Sequence, residues 1–506
     1  MHRCFYCGKE TKSVERLDYS PVHGLVHYDC YLKDIKTKVN PSVAENVVAS
    51  AKLLDALSRI VGPENVKASY SDRAYYLRDH STDFVDLERG YAPDVVVLPK
   101  TEKEVSEIVK LAAEEKIAVT PRGAGTGFVG GAVAVEGGIL IDLMRMNRVL
   151  EIDDVNQRIT AEPGVTVQAM EDRLREKGLT LGFDSGSGPV ASVGGAVSTD
   201  QLGKDGWYSN VGSARDLVLC LRVVLADGTV VSTGRKLERP TSSVNVAHLF
   251  VGAEGSLGIV TQATLKVFPV PEATDLRVVV FDTFHQAAKT TMEMIRLGIC
   301  PSIHHTAEIV RMDQPTVASE ANSFGMLLLG FAGLREVVAA QMERSLAVCR
   351  ANGGQDAGKQ AVRDFWERHH EAFPVNLPNN RVYGMEGVAL PLDKILPVYD
   401  QFCSIVRKHG MQLYGTAFGT RPTKLTVIYL FDGTDDGLKA KSAATEEMLK
   451  VSAGVGGTIS GAHGIGFIKR KYFPLEYDEN LILLLRAQKK ALDPHGIMNP
   501  GKGVYE

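Results

Sequence analysis

Residues 121–131 read Pro-Arg-Gly-Ala-Gly-Thr-Gly-Phe-Val-Gly-Gly, with five glycines in eleven positions. Glycine loses more chain entropy in a helix or strand interior than any other residue, so this segment predicts a loop. Apolar stretches at 117–120 and 138–143 flank the loop and are typical of strands. A glycine-rich turn between strands brings backbone N–H groups close enough to hold a phosphate. The segment therefore predicts a phosphate-bearing cofactor.

Three further glycine-rich stretches follow along the chain, at 184–199, 212–216 and 252–260. Any one of them could be no more than a set of turns. Four such stretches, each leading into a predicted strand or helix, favour several loops that converge on one large ligand. A dinucleotide has that size, because it carries two phosphates and two ring systems.

The N-terminus carries a second candidate site, in which Cys4-x2-Cys7 is followed by His27-x2-Cys30. Two ligand pairs on tight turns, joined by a polar loop, suit tetrahedral Zn²⁺, and such a four-ligand site would be structural. The alternative interpretation is a set of surface thiols without metal, and His23 is a second histidine candidate. An iron centre is disfavoured because iron–sulfur clusters usually need four thiolates.

Composition restricts the class of protein. The chain has 506 residues, of which 44% are hydrophobic, and a formal net charge of -4. These values are typical of a globular protein with two to four domains, and they give no reason to expect a nucleic-acid partner. No apolar run approaches the ~20 residues that span a bilayer. Since the N-terminus shows no apolar signal core, we expect a cytoplasmic protein.

The pattern of apolar residues predicts a mixed α+β chain. Helices are expected over 41–61, over 101–113 with Thr101 as N-cap and Glu104 completing a capping box, and over 165–177. Beyond a boundary at Pro269–Pro271, strands alternate with helices, which is typical of a second α+β unit built on an antiparallel sheet. The expected elements are strands at 94–99, 158–162, 217–225, 229–232, 265–270, 276–281, 326–331 and 426–431, and helices at 285–297, 334–352, 392–409 and 479–492.

Several ordered motifs resemble those of a known family, the FAD-linked oxidases of the vanillyl-alcohol oxidase (PCMH-type) fold. The similarity is to the branch that contains glycolate oxidase and D-lactate dehydrogenase flavin subunits, and it covers roughly residues 50–506. Only the N-terminal cysteine motif is foreign to it. The matching segments are 121–127, 192–199, 250–265, 460–466 and 492–502.

The resemblance implies a division of the chain and a set of cofactor contacts. The expected units are a zinc knuckle (1–40), a PCMH-type FAD-binding domain (41–270), a substrate or cap domain (271–455) and a C-terminal segment that returns to the FAD domain (456–506). Some relatives attach FAD through a histidine at the place of Thr126, so FAD is expected to be non-covalent here. The implied FAD-binding residues are Pro121, Arg122, Gly123, Ala124, Gly125, Thr126, Gly127, Gly130, Gly131, Asp184, Ser192, Val193, Gly194, Gly195, Ser198, Thr199, Gly255, Gly258, Ile259, Val260 and Asn499.

The resemblance also implies a reaction, hydride transfer from the Cα of a 2-hydroxy acid or related alcohol to flavin N5. It places His463 as the base that takes the hydroxyl proton. A cation for the substrate carboxylate would come from Arg368 or Arg421, with His369 beside them. Arg122 is expected to contact FAD or loop carbonyl groups. Electrons would pass to a protein or quinone, through an iron–sulfur or electron-transfer-flavoprotein subunit, and the chain could be a homodimer.

The chain departs from this family where metal-dependent relatives bind a metal ion. The two histidines of the family's second motif are absent from the stretch 414–426, and Ala462 replaces the glutamate before His463. Threonine, phenylalanine and alanine cannot replace such ligands. The unused histidine pairs, 304–305 and 369–370, leave a different metal site open. Two alternatives therefore remain: non-redox flavin chemistry like that of alkyl-glycerone-phosphate synthase, or a flavin-bearing subunit that docks through its knuckle.

Overall fold

The structure is a computed structural model that describes residues 17–20, 24–27, 49–81, 91–182, 187–201, 212–238, 242–310, 323–368, 381–420 and 423–503. Within these ranges only the backbone is described for 17–20, 24–27 and 364–368 and for positions 310, 381, 418 and 420. Across the described ranges we find no helix with the length and apolar character required to cross a bilayer.

The strands form five sheets. In chain order they are β1 (Leu17–Ser20), β2 (Gly24–His27), β3 (Val66–Lys67), β4 (Val95–Val97), β5 (Val119–Arg122), β6 (Ile139–Asp142), β7 (Val149–Asp153), β8 (Arg158–Ala161), β9 (Leu179–Thr180), β10 (Val218–Val224), β11 (Val230–Ser232), β12 (Ile259–Lys266), β13 (Phe268–Pro269), β14 (Ala273–Phe281), β15 (Ile303–Val310), β16 (Ser323–Gly333), β17 (Gln355–Asp356), β18 (Arg381–Ala389), β19 (Gln412–Thr420) and β20 (Thr423–Asp432).

Helices connect and cover these sheets. The α-helices are α1 (Ala51–Val61), α2 (Tyr70–Arg73), α3 (Glu102–Glu115), α4 (Val167–Arg175), α5 (Val193–Ser198), α6 (Ala214–Leu217), α7 (Phe284–Arg296), α8 (Arg335–Ala351), α9 (Gly358–Arg368), α10 (Ile395–Lys408), α11 (Asp435–Gly454) and α12 (Glu479–Leu492). Short 3₁₀ turns lie at Pro63–Asn65, Ala74–Tyr76, Leu143–Arg145, Val246–Leu249, Leu392–Lys394 and Arg470–Leu475.

Two sheets build the first half of the chain. The smaller has the order β3-β4-β6-β5, and its β4–β6 and β6–β5 pairs are parallel. The larger has the order β11-β10-β12-β8-β7 and is antiparallel throughout. The glycine-rich loop follows β5, an edge strand of the small sheet, and borders the same cleft as Ile259 and Val260 of β12 in the large sheet.

The second half forms a seven-stranded antiparallel sheet in the order β17-β14-β16-β15-β19-β20-β18. One face carries α7, α8, α10 and α11, and Val427 and Tyr429 are fully buried beneath them. On the opposite face, α9 packs over Val278 and Leu328. The rest of that face, at the β18 end, lies against the first half of the chain. There the Tyr383 hydroxyl of β18 lies 2.7 Å from His80 Nε2. This face of the sheet is called the inner face below.

The predicted α+β class is confirmed, and most predicted elements appear within a few residues of their expected bounds. Thr101 caps α3 and accepts from the N–H of Glu104. The capping box differs in one bond, because the Glu104 carboxylate accepts from the N–H of Lys100 and not from Thr101. The longer elements that were not predicted are strands β7, β15, β18 and β19 and helices α9 and α11. The predicted strand 265–270 is the end of the longer β12, followed by β13.

One lysine, Lys489, helps to attach the C-terminal segment to the first half of the chain. Lys489 of α12 donates from Nζ to the carbonyl oxygens of Ser256 and Met498, and to the Asp493 carboxylate, each at 2.7 Å. The same carboxylate accepts from the N–H groups of Ile497 and Met498. As a result, the strand-like residues 497–499 lie against β5, where Val119 N–H donates to Ile497 O at 2.7 Å.

Lys489→Met should therefore destabilise the protein by about 2–4 kcal/mol, because three acceptors lose a charged donor inside the protein. Lys490→Met is the matched control, since its neighbouring side chain is exposed, and it should stay within about 0.5 kcal/mol of the parent. Urea unfolding followed by circular dichroism measures both variants. Equal midpoints for the two variants would contradict this role of Lys489.

Candidate active site

The glycine-rich loop begins at the end of β5 and is held in shape by the side chain of Arg122. This guanidinium is buried, and its Nη1 donates to the carbonyl oxygens of Arg78 at 2.9 Å and Ala132 at 3.2 Å. Gly125 and Gly130 adopt φ values of +72° and +76°, which favour glycine. Of the two contacts expected for Arg122, the structure shows the one to loop carbonyls.

The second glycine-rich segment starts a short helix that touches the first loop. Ser192 caps α5, and its Oγ accepts from the N–H of Gly195 at 3.2 Å. A Cβ added at Gly123 would lie 2.1 Å from Ser192 Oγ, and one at Gly194 would lie 2.5 Å from Pro163 Cβ. The two loops can approach this closely only because these positions carry no side chain.

Between the loops lies a cleft of about 1100 Å³, a volume that includes its solvent-open mouth. Most of the predicted cofactor residues line it: Pro121, Arg122, Gly123, Ala124, Gly125, Thr126, Gly127, Gly131, Ser192, Gly194, Gly195, Ser198, Thr199, Gly255, Gly258, Ile259 and Val260. The lining also includes residues that were not predicted as cofactor contacts: Phe128, Val129, Ala132, Leu143, Pro163, Ser187, Ala191, Ala196, Gln201, Glu254 and Ala462, together with His463.

Three predicted cofactor residues lie behind this lining and position it. Gly130 donates its N–H to the buried Asp79 carboxylate at 2.7 Å, and Val193 donates to Val165 O. Asn499 donates from Nδ2 to the carbonyl oxygens of Gly131 at 3.0 Å and Glu254 at 2.6 Å. Asp184 lies outside the described residues.

The carboxylate of Glu254 connects the cleft to the C-terminal segment. It is 8% exposed and accepts from the backbone N–H groups of Ile465, at 2.7 Å, and Gly466, at 2.8 Å. Burial raises the pKa of Glu254 to about 7, against the effect of these two donors. Burial likewise raises the pKa of Asp79 to about 6. Since Ile465 and Gly466 follow His463 by two and three residues, Glu254 fixes the turn that presents this histidine.

His463 lies between the cleft and the inner face of the cap sheet. Its ring centroid is 5.1 Å from that of Phe128, and a Cβ at Gly387 of β18 would lie 3.6 Å from its Cε1. Burial lowers the pKa of His463 well below its usual value, and the nearby Lys424 and Lys469 lower it further. The imidazole is therefore neutral near pH 7 and has a nitrogen lone pair available to accept a proton.

A second buried histidine, which the sequence patterns did not reveal, lies on the other side of Phe128. The His80 ring is 4.8 Å from that of Phe128, and its Nε2 lies 2.7 Å from the Tyr383 hydroxyl. Burial lowers the pKa of His80 to about 3, so this ring is neutral as well. No motif surrounds His80 or Tyr383 in the sequence, and only the fold brings them together.

A buried ion pair completes the surroundings of His463. Lys469 Nζ lies 2.8 Å from Glu386 Oε2, and the same ammonium donates to Ile459 O at 3.0 Å. Glu386 also accepts from the Thr445 hydroxyl at 2.9 Å. The carboxylate of Glu386 offsets the charge of Lys469, and the ion pair fixes the lysine side chain in place.

The remaining predicted site residues belong to parts of the chain whose side chains the structure does not describe. The proposed zinc ligands Cys4, Cys7 and Cys30 and the cap residues Arg421 and His369 lie outside the described residues, and for His27 and Arg368 only the backbone is described. His304 contacts Thr291 of α7 on the helix-covered face, whereas its strand neighbour His305 points to the inner face. A metal ion shared by these two is therefore excluded. In the described ranges, no group of three or more potential metal ligands is found.

The cleft suits a flavin dinucleotide by its chemistry. Glycine backbones border it along two loops, which exposes N–H groups to phosphates. Apolar side chains, among them Leu143, Pro163 and Val260, form walls against which flat rings can pack. Arg122 Nε is buried without a hydrogen-bond partner among the described residues, which leaves a cationic donor at the cleft.

Comparisons with known proteins agree with this geometry. Residues 93–234 match the family described as "FAD binding domain", and residues 270–503 match "FAD linked oxidases, C-terminal domain". The glycolate oxidase subunit GlcD of Bacillus subtilis is 29% identical over 471 residues, which cover 88% of this chain and 96% of that protein. A protein named probable mitochondrial D-lactate dehydrogenase, of Danio rerio, is 29% identical over 473 residues, covering 90% and 92%.

A solved structure shares the fold. The crystal structure of p-cresol methylhydroxylase with substrate bound gives a TM-score of 0.74 at 18% identity, and the match covers 90% of this chain and 97% of that one. At this identity the likeness concerns the fold alone, and it supports the PCMH-type architecture of the described residues.

Gly255→Ala should deplete the cofactor from the protein. Gly255 has φ +73°, and a Cβ there would lie 2.4 Å from Pro121 Cγ at the start of the glycine-rich loop. The matched control is Gly456→Ala, which has φ +79° with nothing within 4 Å. Both substitutions bring backbone strain of about 1–3 kcal/mol, but only the first displaces the loop.

The ratio of flavin absorbance to protein after purification, and the FAD affinity of the apoprotein, distinguish the two. We expect at least a tenfold weaker FAD affinity for Gly255→Ala and parent-like affinity for Gly456→Ala. The same loss of flavin in both variants would show that backbone strain alone, without displacement of the loop, accounts for it.

Proposed function

The chain belongs to the family of FAD-linked oxidases and is an FAD-dependent oxidoreductase, and from this premise we propose that it oxidises a 2-hydroxy acid of the D-lactate or glycolate class, or a related alcohol. The observation that carries the proposal is the position of His463. This neutral histidine lines the cofactor cleft and contacts the inner face of the cap sheet, where a substrate would meet the cofactor.

The chain's own residues have to hold the substrate and remove one proton. FAD bound in the cleft supplies the acceptor for the hydride that leaves the substrate Cα. His463 takes the hydroxyl proton as the carbonyl forms, so that one proton and one hydride leave together. Phe128 packs against the ring. The Glu254 carboxylate fixes the backbone of Ile465, two residues after the histidine.

We propose a protein or quinone as electron acceptor, reached through an iron–sulfur or electron-transfer-flavoprotein subunit. The name of the Bacillus subtilis relative, a glycolate oxidase subunit, supports assembly with other chains. A homodimer and a cytoplasmic location remain part of the proposal. Non-redox chemistry of the alkyl-glycerone-phosphate synthase type is the alternative, and it predicts a flavin that no alcohol or hydroxy acid reduces.

His463→Gln should slow flavin reduction by a true substrate by about 10²–10⁴-fold, because glutamine cannot act as the base. The matched control is His495→Gln, an exposed histidine of the C-terminal segment. Anaerobic bleaching of the flavin near ~450 nm by D- and L-2-hydroxy acids measures the rate, with flavin content checked in each variant.

The pH dependence provides a second readout of the same prediction. Because the pKa of His463 is lowered, the ring stays neutral as the pH falls through 6.5, and kcat/KM should remain flat there. The acid limb should appear only at lower pH. A near-normal reduction rate in His463→Gln would rule out this residue as the base, and a colourless parent protein would overturn the proposed function.

We also propose that the N-terminal segment binds one structural Zn²⁺ through Cys4, Cys7, His27 and Cys30. Replacing Cys4 and Cys7 by serine should remove the zinc and leave flavin reduction intact, since the FAD cleft is built from residues 121 onward. Cys300→Ser, at a half-buried position elsewhere, is the control. Zinc analysis of the purified proteins measures this, and a zinc-free parent from zinc-replete medium would overturn the assignment.

A further inference from the structure

A second cavity lies behind His463, on the far side of the wall that borders the cofactor cleft. Its volume is about 420 Å³, which includes open space at its boundary. Phe128, Val129 and His463 line both this cavity and the cleft, so the imidazole forms part of the wall between them. Of these three side chains only the imidazole can take up a proton. This second space is called the rear cavity below.

The rear cavity lies at the edge of the cap sheet, and this position explains its lining. Because β18 is an edge strand, side chains from both of its faces can border one space. Tyr383 and Met385 come from the inner face. Glu386 comes from the opposite face, where it accepts from the Thr445 hydroxyl of α11. The remaining lining residues are Lys441 of α11 and, from the segment after His463, Ile468 and Lys469.

The charged groups of the rear cavity are buried. They are the carboxylate of Glu386 and the ammonium groups of Lys441 and Lys469. In the lining formed by the described residues, Glu386 is the only carboxylate, and its Oε2 lies 2.8 Å from Lys469 Nζ. A cavity bordered by several buried polar groups binds ordered water, and such water links these groups by hydrogen bonds. Water can therefore connect the His463 ring with a carboxylate that accepts protons.

The proposed reaction requires a way out for one proton. The proton that His463 takes from the substrate has to leave the ring before the next turnover. While substrate and cofactor occupy the cleft, they cover the side of the ring that faces it, and the rear cavity borders the ring on the other side. An imidazole can accept a proton on one nitrogen and release one from the other. Burial and nearby ammonium groups lower the pKa of His463, which favours rapid release.

We infer that the rear cavity is the exit for the substrate proton, and that Glu386 receives this proton from His463 through water. The inference deepens the proposed function and rests on it. The substrate O–H bond breaks as an N–H bond forms on the imidazole, and the hydride leaves separately from Cα. His463 then gives a proton to water, which passes one to the Glu386 carboxylate. Because the adjacent Lys469 favours the ionised carboxylate, Glu386 returns the proton to solvent, and both groups regain their initial states.

A stopped-flow experiment with two signals tests this exit. Anaerobic holoprotein is mixed with a 2-hydroxy acid that bleaches its flavin, in weakly buffered solution at alkaline pH, where the reduced flavin does not take the proton back. The flavin absorbance reports hydride transfer, and a pH-indicator dye reports the proton that reaches the solvent. In the parent protein we expect one proton per flavin, released at the rate of bleaching.

Two variants interrupt the exit in different ways. The first combines Glu386→Gln with Lys469→Met, because Glu386→Gln alone would leave a buried ammonium without its carboxylate. The second, Ile468→Phe, fills the rear cavity and keeps its charged groups. In each variant the ratio of the proton-release rate to the bleaching rate should fall about tenfold or more. Glu386→Asp keeps a carboxylate at this position and should recover part of the ratio.

The matched control combines Glu446→Gln with Lys450→Met, which removes an exposed ion pair of α11 and should keep the parent ratio. If Glu386 and Lys469 only position His463, bleaching and proton release slow together, and an unchanged ratio in both exit variants overturns the inference alone. A parent flavin that no hydroxy acid or alcohol bleaches overturns the proposed function and this inference with it. The two failures are therefore distinguishable.

Discussion

The position of the proposed base depends on one buried carboxylate, that of Glu254. Through its side chain it holds the backbone of Ile465 and Gly466, and through its carbonyl oxygen it accepts from Asn499. Asn499 in turn holds Gly131, the last residue of the glycine-rich loop. One residue thus joins the cofactor cleft, the histidine turn and the C-terminal segment. A shift of this carboxylate would move the base relative to the cofactor, and small misplacements of reacting groups cost large factors in rate.

The buried carboxyl groups of Glu254 and Asp79 make the stability of the folded protein depend on pH. The pKa values of Glu254 and Asp79 are raised to about 7 and about 6, so both carboxyl groups hold their protons to a higher pH in the folded protein than in the unfolded chain. Their contribution to stability is therefore fully present below about pH 4 and is lost as the pH rises through 6 to 7. A bound anionic cofactor would raise both pKa values further, since like charges oppose ionisation. The backbone N–H groups that donate to each carboxylate lower its pKa, and these hydrogen bonds persist when the carboxylate ionises.

Local patterns in the sequence predict the cofactor loops, whereas only the fold brings together the residues around His463. Glycine-rich loops are visible in sequence because close backbone approach excludes side chains, and loops 121–131 and 187–199 do come together around one cleft. By contrast, His80 lies 303 residues before Tyr383, and His80, Tyr383 and Glu386 sit in no motif, so their convergence near His463 could not be predicted. The paired histidines 304 and 305 show the opposite error: adjacency suggested a shared ligand, but neighbouring strand residues point to opposite faces of the sheet.

The two lysines near His463 explain how a buried histidine of lowered pKa can still act as a base. In the free protein, Lys424 and Lys469 oppose protonation of the imidazole, so the ring is neutral but weakly basic. Glu386 already balances Lys469. A substrate carboxylate bound beside the imidazole would oppose the effect of the two ammonium groups and raise the pKa of His463 when a proton has to be accepted. The anionic group of the substrate would then serve both binding and proton removal. An alcohol without a carboxylate would leave the histidine a poor base, so selectivity for acids would arise in the chemical step as well as in binding.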